Sequence, residues 1–238
     1  MIKAILTIDD APQNNTKAIV DYLCSKNIKA VFFAIGDLLD KNPENALYAI
    51  SKGFVIGNHT YTHPKMSELT YEEAVEEIEK CERSLNAVYE KAGVERPVKL
   101  FRFPYLDSRK DINDYLVSKG FKKIDDSNVN SKSYINSGCK DEIHVSVSFD
   151  CAEYLLRPGN TMTFDEITDK IDRVFGSKGS PAVKRMLRPI LVNRTHIILT
   201  HSHDETEEME SEYWRKIVER VEANGAVFID PKFVGLHA

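Results

Sequence analysis

Ile2-Lys3-Ala4-Ile5-Leu6-Thr7-Ile8-Asp9-Asp10 is an apolar, β-branched run that ends on two adjacent carboxylates. It has the composition of a strand and is the first of eight strand candidates: residues 2–8, 29–35, 54–57, 98–101, 121–124, 144–149, 195–200 and 226–229. Longer amphipathic stretches lie between them, and short apolar runs alternating with such stretches make a parallel α/β architecture. Three of the intervening helices have readable ends. Thr70 and Glu73 form a capping box before the apolar face Val75, Ile78, Leu85 and Val88, and Gly93 stops that helix. Thr163 and Glu166 repeat the box before Ile167, Ile171 and Val174, with Gly176 as the stop, and a last helix uses Trp214, Ile217, Val218 and Val221 before Asn224-Gly225. The polar stretch Ser127 to Lys140 reads as a long loop, and residues 176–194 as either a surface helix or an irregular insertion. Eight strands with helices between them allow a (β/α) barrel or an open doubly wound sheet. No G-x-G-x-x-G and no P-loop supports a nucleotide site.

Composition narrows the function classes. The 238 residues carry 42% hydrophobic and 29% charged side chains, the balance of one folded domain, and no repeat or composition shift divides residues 1–238. The net charge of -5, without long runs of one sign, argues against a nucleic-acid partner or an anionic membrane. No apolar stretch approaches the roughly 18 to 20 residues of a membrane span. Met1 runs straight into the first strand without a basic region or a small-residue cleavage site, so the expected compartment is the cytoplasm, or an extracytoplasmic one if a leader has been removed. Cys24, Cys81, Cys139 and Cys151 include no C-x-x-C pair and read as plain thiols.

Chemistry-bearing residues follow the strand candidates closely. Asp9 and Asp10 end the first, His59 and His63 follow the third, Arg102 to Tyr105 the fourth, Asp150 the sixth and His201 the seventh. Strand C-termini in a parallel barrel or sheet open onto one face, where these groups would converge. His59 and His63 have i, i+4 spacing, but two threonines, a tyrosine and Pro64 make a poor helix, so a loop that curls both imidazoles onto a metal is the better reading. Asp9 and Asp10 point in opposite directions if the strand continues, so one can ligate a metal while the other accepts a proton. Their alternative role is a helix cap or turn, because Pro12 to Thr16 follows. Phe101-Arg102-Phe103-Pro104-Tyr105 offers a fixed cation and a rigid turn able to aim the Tyr105 N–H at a developing oxyanion.

Taken in order, Thr7-Ile8-Asp9-Asp10, His59-Thr60-Tyr61-Thr62-His63, Arg102-Phe103-Pro104-Tyr105, Asp150-Cys151-Ala152-Glu153-Tyr154 and Leu199-Thr200-His201 resemble the five motifs of the polysaccharide deacetylases, the NodB-homology family or carbohydrate esterase family 4. The likeness spans residues 7 to 201. It implies a distorted (β/α) barrel and a divalent metal, usually zinc with cobalt or nickel as substitutes, held by Asp10, His59 and His63. Two imidazoles and a carboxylate leave the open position that a catalytic zinc requires. The resemblance further implies Asp9 as general base, Arg102 as its holder, the Tyr105 N–H as an oxyanion donor, His201 as general acid and Leu199 as lining for the acetyl methyl. Leaving amines need protonation, so an acid is chemically necessary.

Departures from the family pattern are Ala11 and Leu106 where glycine is usual, and Glu153-Tyr154 in place of Asp-Trp. The acid orienting His201 is then Glu153 or Asp150, and Tyr154 leaves a less extended groove wall. The expected activity is N-deacetylation of an N-acetylated sugar or oligosaccharide. Its rivals are hydrolysis of a small non-sugar amide or imide, and carbohydrate binding without turnover. His203 and Asp204 read as residues behind the ligands or at the surface, and His144, His196 and His237 as outside the site. The oligomeric state is open.

Overall fold

Strand β1 (Ile2–Ala11) has nine of its ten residues buried, and a strand covered on both faces can be apolar without alternation. In the computed structural model, which describes residues 1–176 and 194–236, β1 is the centre of the molecule. It pairs in parallel with β2 (Ala30–Ala34), with β6 (Thr195–His201) and, at its start, with β7 (Ala226–Phe228). β3 (Val55–Asn58) adds to β2 and β5 (Phe149–Asp150) to β6, giving the parallel order β3-β2-β1-β6-β5. Beyond β3 the wall continues in short pieces. Asn58 bridges Phe101, Leu100 bridges Lys122, and the Val145 N–H donates to the Phe101 carbonyl at 2.7 Å. The result is the expected α/β barrel, distorted in that one side is held by bridges and no closed ladder runs round the described residues.

Two apolar layers follow from strand alternation. Ala4, Leu6 and Ile8 of β1, Phe32 of β2 and Ile198 of β6 face outward into a core shared with the helices. Ile5, Val31, Phe33, Leu100, Val145 and Ile197 fill the barrel interior. Thr7 and Asp9 continue the inward series begun by Ile5. Asp9 is in register with His201, so the pairing of β1 with β6 alone sets these two strand ends side by side.

The helices are α1 (Thr16–Ser25), α2 (Gly36–Lys41), α3 (Pro43–Ser51), α4 (Tyr71–Lys91), α5 (Lys110–Ser118), α6 (Lys132–Asn136), α7 (Phe164–Phe175), α8 (Asp204–Met209) and α9 (Tyr213–Ala223). Both expected capping boxes are present at α4 and α7, and Gly176 ends α7 in the left-handed conformation that glycine adopts without steric cost. Trp214, Ile217, Val218 and Val221 are the buried face of α9.

Three expectations need correction. The stretch Ser127 to Lys140 is not all loop, because Ser131 caps the short α6 by accepting the Tyr134 N–H. Candidate strand 98–101 survives as two bridges, and of 144–149 only the end at Phe149 joins a ladder. A small antiparallel pair, β4 (Lys123–Ile124) with β8 (Phe233–Val234), lies off the main sheet. Residues 177–193, most of the segment read as surface helix or insertion, and His237 lie outside the described residues. All four cysteines are free thiols.

Candidate active site

Asp9 comes to the mouth of the barrel because it continues the inward face of β1. Arg102, fully buried, meets it there: Nη1 donates to Asp9 Oδ1 at 2.6 Å and to Thr7 Oγ1 at 2.8 Å, and Nε donates to the Val145 carbonyl at 2.7 Å. The guanidinium also lies over the Phe33 ring at 4.3 Å. Burial of a charge is costly without such pairing, and here the ion pair locks one carboxylate oxygen while Asp9 Oδ2 faces His59 Nε2 at 3.5 Å.

Asp10 would point away from this mouth in a regular strand. Instead its φ is 60°, which turns the side chain towards the histidine loop. His59 and His63 reach the same point from a loop, as their poor helical context predicts; Thr60 and His63 both have positive φ. His59 Nδ1 is 2.9 Å from the Arg102 carbonyl. That acceptor assigns the proton to Nδ1 and leaves the Nε2 lone pair free for a metal. Asp10 Oδ1 is 3.5 Å from His59 Nε2 and 3.4 Å from His63 Nε2, and this buried oxygen has no hydrogen-bond partner among the described residues. Buried polar atoms are almost always satisfied, so an orphan oxygen facing two imidazole nitrogens fits a cation. Burial, then the neighbouring His59, lowers His63 to about 4 and keeps it neutral, as a ligand must be. Burial would raise Asp10, but the His203 hydrogen bond and the surrounding His59, His201 and His63 outweigh it and hold the carboxyl below its ordinary range.

Beside Asp9, on the neighbouring strand, His201 ends β6. Glu153, with no exposure, accepts from the His201 Nδ1 at 3.1 Å, from the His201 backbone N–H, and from Thr200 Oγ1 at 2.6 Å. Burial would lower His201, but the charge and hydrogen bond of Glu153, then Asp10 and Asp9, raise it to about 9. The imidazolium is thereby kept as an acid at neutral pH. Of the two acids left open by the sequence, Glu153 is the one bonded to His201. Asp150 accepts the Ala152 N–H at 2.7 Å, and burial raises its carboxyl. The longer glutamate arm fits because Ala152 takes a left-handed turn, φ 61°, just before it.

Asp9, Asp10, His59, His63, Tyr105, Asp150, Tyr154, Leu199, His201 and His203 line one cleft of about 420 Å³. Tyr105 is 63% exposed, its ring 4.7 Å from His63, and its N–H donates to no acceptor among the described residues. The Tyr154 ring stands edge-on to His201 at 5.0 Å. Eight non-glycine described residues have positive φ, and Asp10, Thr60, His63, Tyr105, Leu106 and Ala152, six of them, belong to these loops. Such conformations cost of order 1 kcal/mol or more each and cluster where function demands them. The positive φ of Leu106, 56°, also explains why glycine suits that position.

The sequence did not single out Arg157, Glu205 and Thr206, which also line the cleft, nor the bond from His203 Nε2 to Asp10 Oδ2 at 2.6 Å. A period-2 reading of His201-Ser202-His203 would have put both imidazoles on one side. Asp204 bonds Asn14 at the surface. His144 pairs with Glu142 behind Phe103, and His196 packs on Phe175.

One barrel mouth thus gathers an acid-and-imidazole triad, a carboxylate held by Arg102 and an imidazole held by Glu153. The polysaccharide deacetylase family model matches residues 2–124, just over half of the chain, and the chain belongs to that family. It is 40% identical over 82 residues to a peptidoglycan-N-acetylglucosamine deacetylase of Bacillus cereus, covering 34% of this chain and 30% of that protein. It is also 40% identical over 73 residues to chitin deacetylase 1 of Cryptococcus neoformans, covering 31% and 16%. The chain thus spans less than a third of the length of these curated relatives. A crystal structure of a peptidoglycan N-acetylglucosamine deacetylase superposes over 95% of this chain and 85% of that one, with TM-score 0.66 at 23% identity, a likeness of fold. No helix among the described residues is long and apolar enough to cross a membrane.

Proposed function

We propose that residues 1–238 act as one deacetylase domain, a zinc-dependent hydrolase that removes the N-acetyl group of an N-acetylated sugar or oligosaccharide and releases acetate. The observation that carries this reading is that a carboxylate held by Arg102, Asp9, and an imidazole held by Glu153, His201, share one cleft with the Asp10, His59 and His63 cluster. Asp10, His59 and His63 would hold the metal, which would supply Lewis-acid polarisation of the acetamide carbonyl and a lowered pKa for water.

Each remaining step belongs to the chain. Asp9 Oδ2 takes a proton from the attacking water, while Arg102 holds the other carboxylate oxygen and prevents rotation. The Tyr105 N–H faces the oxygen that gains charge as the carbonyl carbon becomes tetrahedral. His201, oriented by Glu153, gives its proton to the sugar nitrogen as the C–N bond breaks, and the products are acetate and a free amine. Leu199 bounds the space for the acetyl methyl, and Tyr154 offers a ring to the sugar. The relatives' names, peptidoglycan and chitin deacetylases, support a carbohydrate substrate.

The test is acetate release by zinc-loaded protein from N-acetylglucosamine oligomers of increasing length. Release is expected, with a length dependence that reports how many sugars the cleft engages. Hydrolysis of a cyclic imide with no release from any oligomer would overturn the sugar assignment.

A further inference from the structure

The geometry points to His203 as a positioning residue that fixes which oxygen of Asp10 faces the metal, an inference resting on the metal reading above. A carboxylate only accepts hydrogen bonds, so the 2.6 Å contact assigns the proton to His203 Nε2 and the acceptor role to Asp10 Oδ2. The other oxygen, Oδ1, is the one near His59 and His63. Rotation about the last carboxylate torsion is broad and roughly two-fold in a free aspartate. Here rotation breaks a short charge-assisted bond. His203 therefore makes Asp10 a one-oxygen ligand and keeps a coordination position open for the reacting groups.

His203 is itself held at its ring and at its backbone. Its ring stacks on His201 at 5.1 Å and 25°. Its backbone N–H donates at 3.0 Å to the hydroxyl of Tyr213, a side chain with no exposure. One histidine thus ties the metal half of the cleft to the acid half. The family motif matched at Leu199-Thr200-His201 stops two residues short of it.

The experiment is a zinc titration of metal-stripped protein against a chromophoric chelator, for wild type, His203→Ala, His203→Phe and His203→Gln. Removing a hydrogen-bond partner of a metal ligand weakens metal binding by about 10- to 100-fold, which is the loss expected for Ala and Phe. Phe keeps a ring against His201, so its loss isolates the hydrogen bond from stacking and does not depend on Ala folding. Gln supplies an N–H donor and is expected to regain most of the affinity. Zinc binding by Phe within about twofold of wild type would overturn the inference, since it lies below the range for a lost ligand partner; so would Gln binding no better than Phe. Wild type that binds no divalent metal would overturn the deacetylase reading as well.

Discussion

Replacing Glu153 by Gln keeps an acceptor for Thr200 and the His201 backbone but removes the charge beside the His201 imidazole. Two unit charges 3.1 Å apart interact by about 5 kcal/mol at an effective dielectric of about 20. That is about four pH units of support for the imidazolium. Burial opposes it, and the outcome is the rise from 6.5 to about 9. Without the Glu153 charge, only the more distant Asp9 and Asp10 offset burial. The basic limb of catalysis, set by loss of the His201 proton, is therefore expected to fall by at least about two pH units in Glu153→Gln. The assay is kcat/KM for acetate release from about pH 5.5 to 10, because that ratio reports groups of the free enzyme. A bound dication acts on wild type and variant alike, so the difference between the two limbs is the measured quantity. A basic limb that moves by less than about half a unit, in a variant that folds and holds zinc, would refute the assignment of Glu153 and His201 as the acid pair.

Other perturbations address different parts of the molecule. Asp9→Asn is expected to retain metal by elemental analysis yet lose about 10²- to 10⁴-fold in turnover, and unchanged turnover would remove Asp9 from the mechanism. His59→Ala and His63→Ala should each lose both bound zinc and activity, so full zinc occupancy in either variant contradicts the triad. A methyl group at Gly57 would meet Phe33 Cε1 at 2.7 Å and Leu100 Cβ at 3.0 Å; Gly57→Ala should lower stability by about 1 to 3 kcal/mol in urea unfolding. His196 is lowered to about 4 by burial and then by Arg194, so the unfolded chain binds its proton first. Stability should fall between about pH 6.5 and 4, by of order 2 kcal/mol at pH 5 from this residue, and His196→Gln should flatten that part of the profile.

Much of the site was legible because its residues sit at strand ends, and strand ends in a parallel sheet share a face. The loop character of His59 to His63 followed from the intervening threonines and Pro64. Less could be read where a short range of sequence carries no period. α6 has five residues, too few for an amphipathic pattern, and Ser131 was its one signal. α1, α2, α3 and α5 lie in stretches for which no caps were read. The choice between Glu153 and Asp150 turned on the left-handed Ala152, a backbone angle that alanine does not announce. The bond between His203 and Asp10 depends on the β1 and β6 ends meeting across nearly the whole chain.

That last pairing also governs when the protein can come together. β1 is synthesised long before β6, yet Thr7 Oγ1 bonds the Ile198 carbonyl 191 residues further on. At about 5 to 20 residues per second of translation, β1 waits on the order of 10 to 40 seconds for its neighbour. During that interval its apolar edge is open, Asp9 lacks Arg102 for the first part of it, and Asp10 lacks His203 throughout. The barrel is consequently a slow, non-local assembly, and a nascent chain stalled before residue 195 would present a sticky half-sheet to chaperones and to other copies of itself.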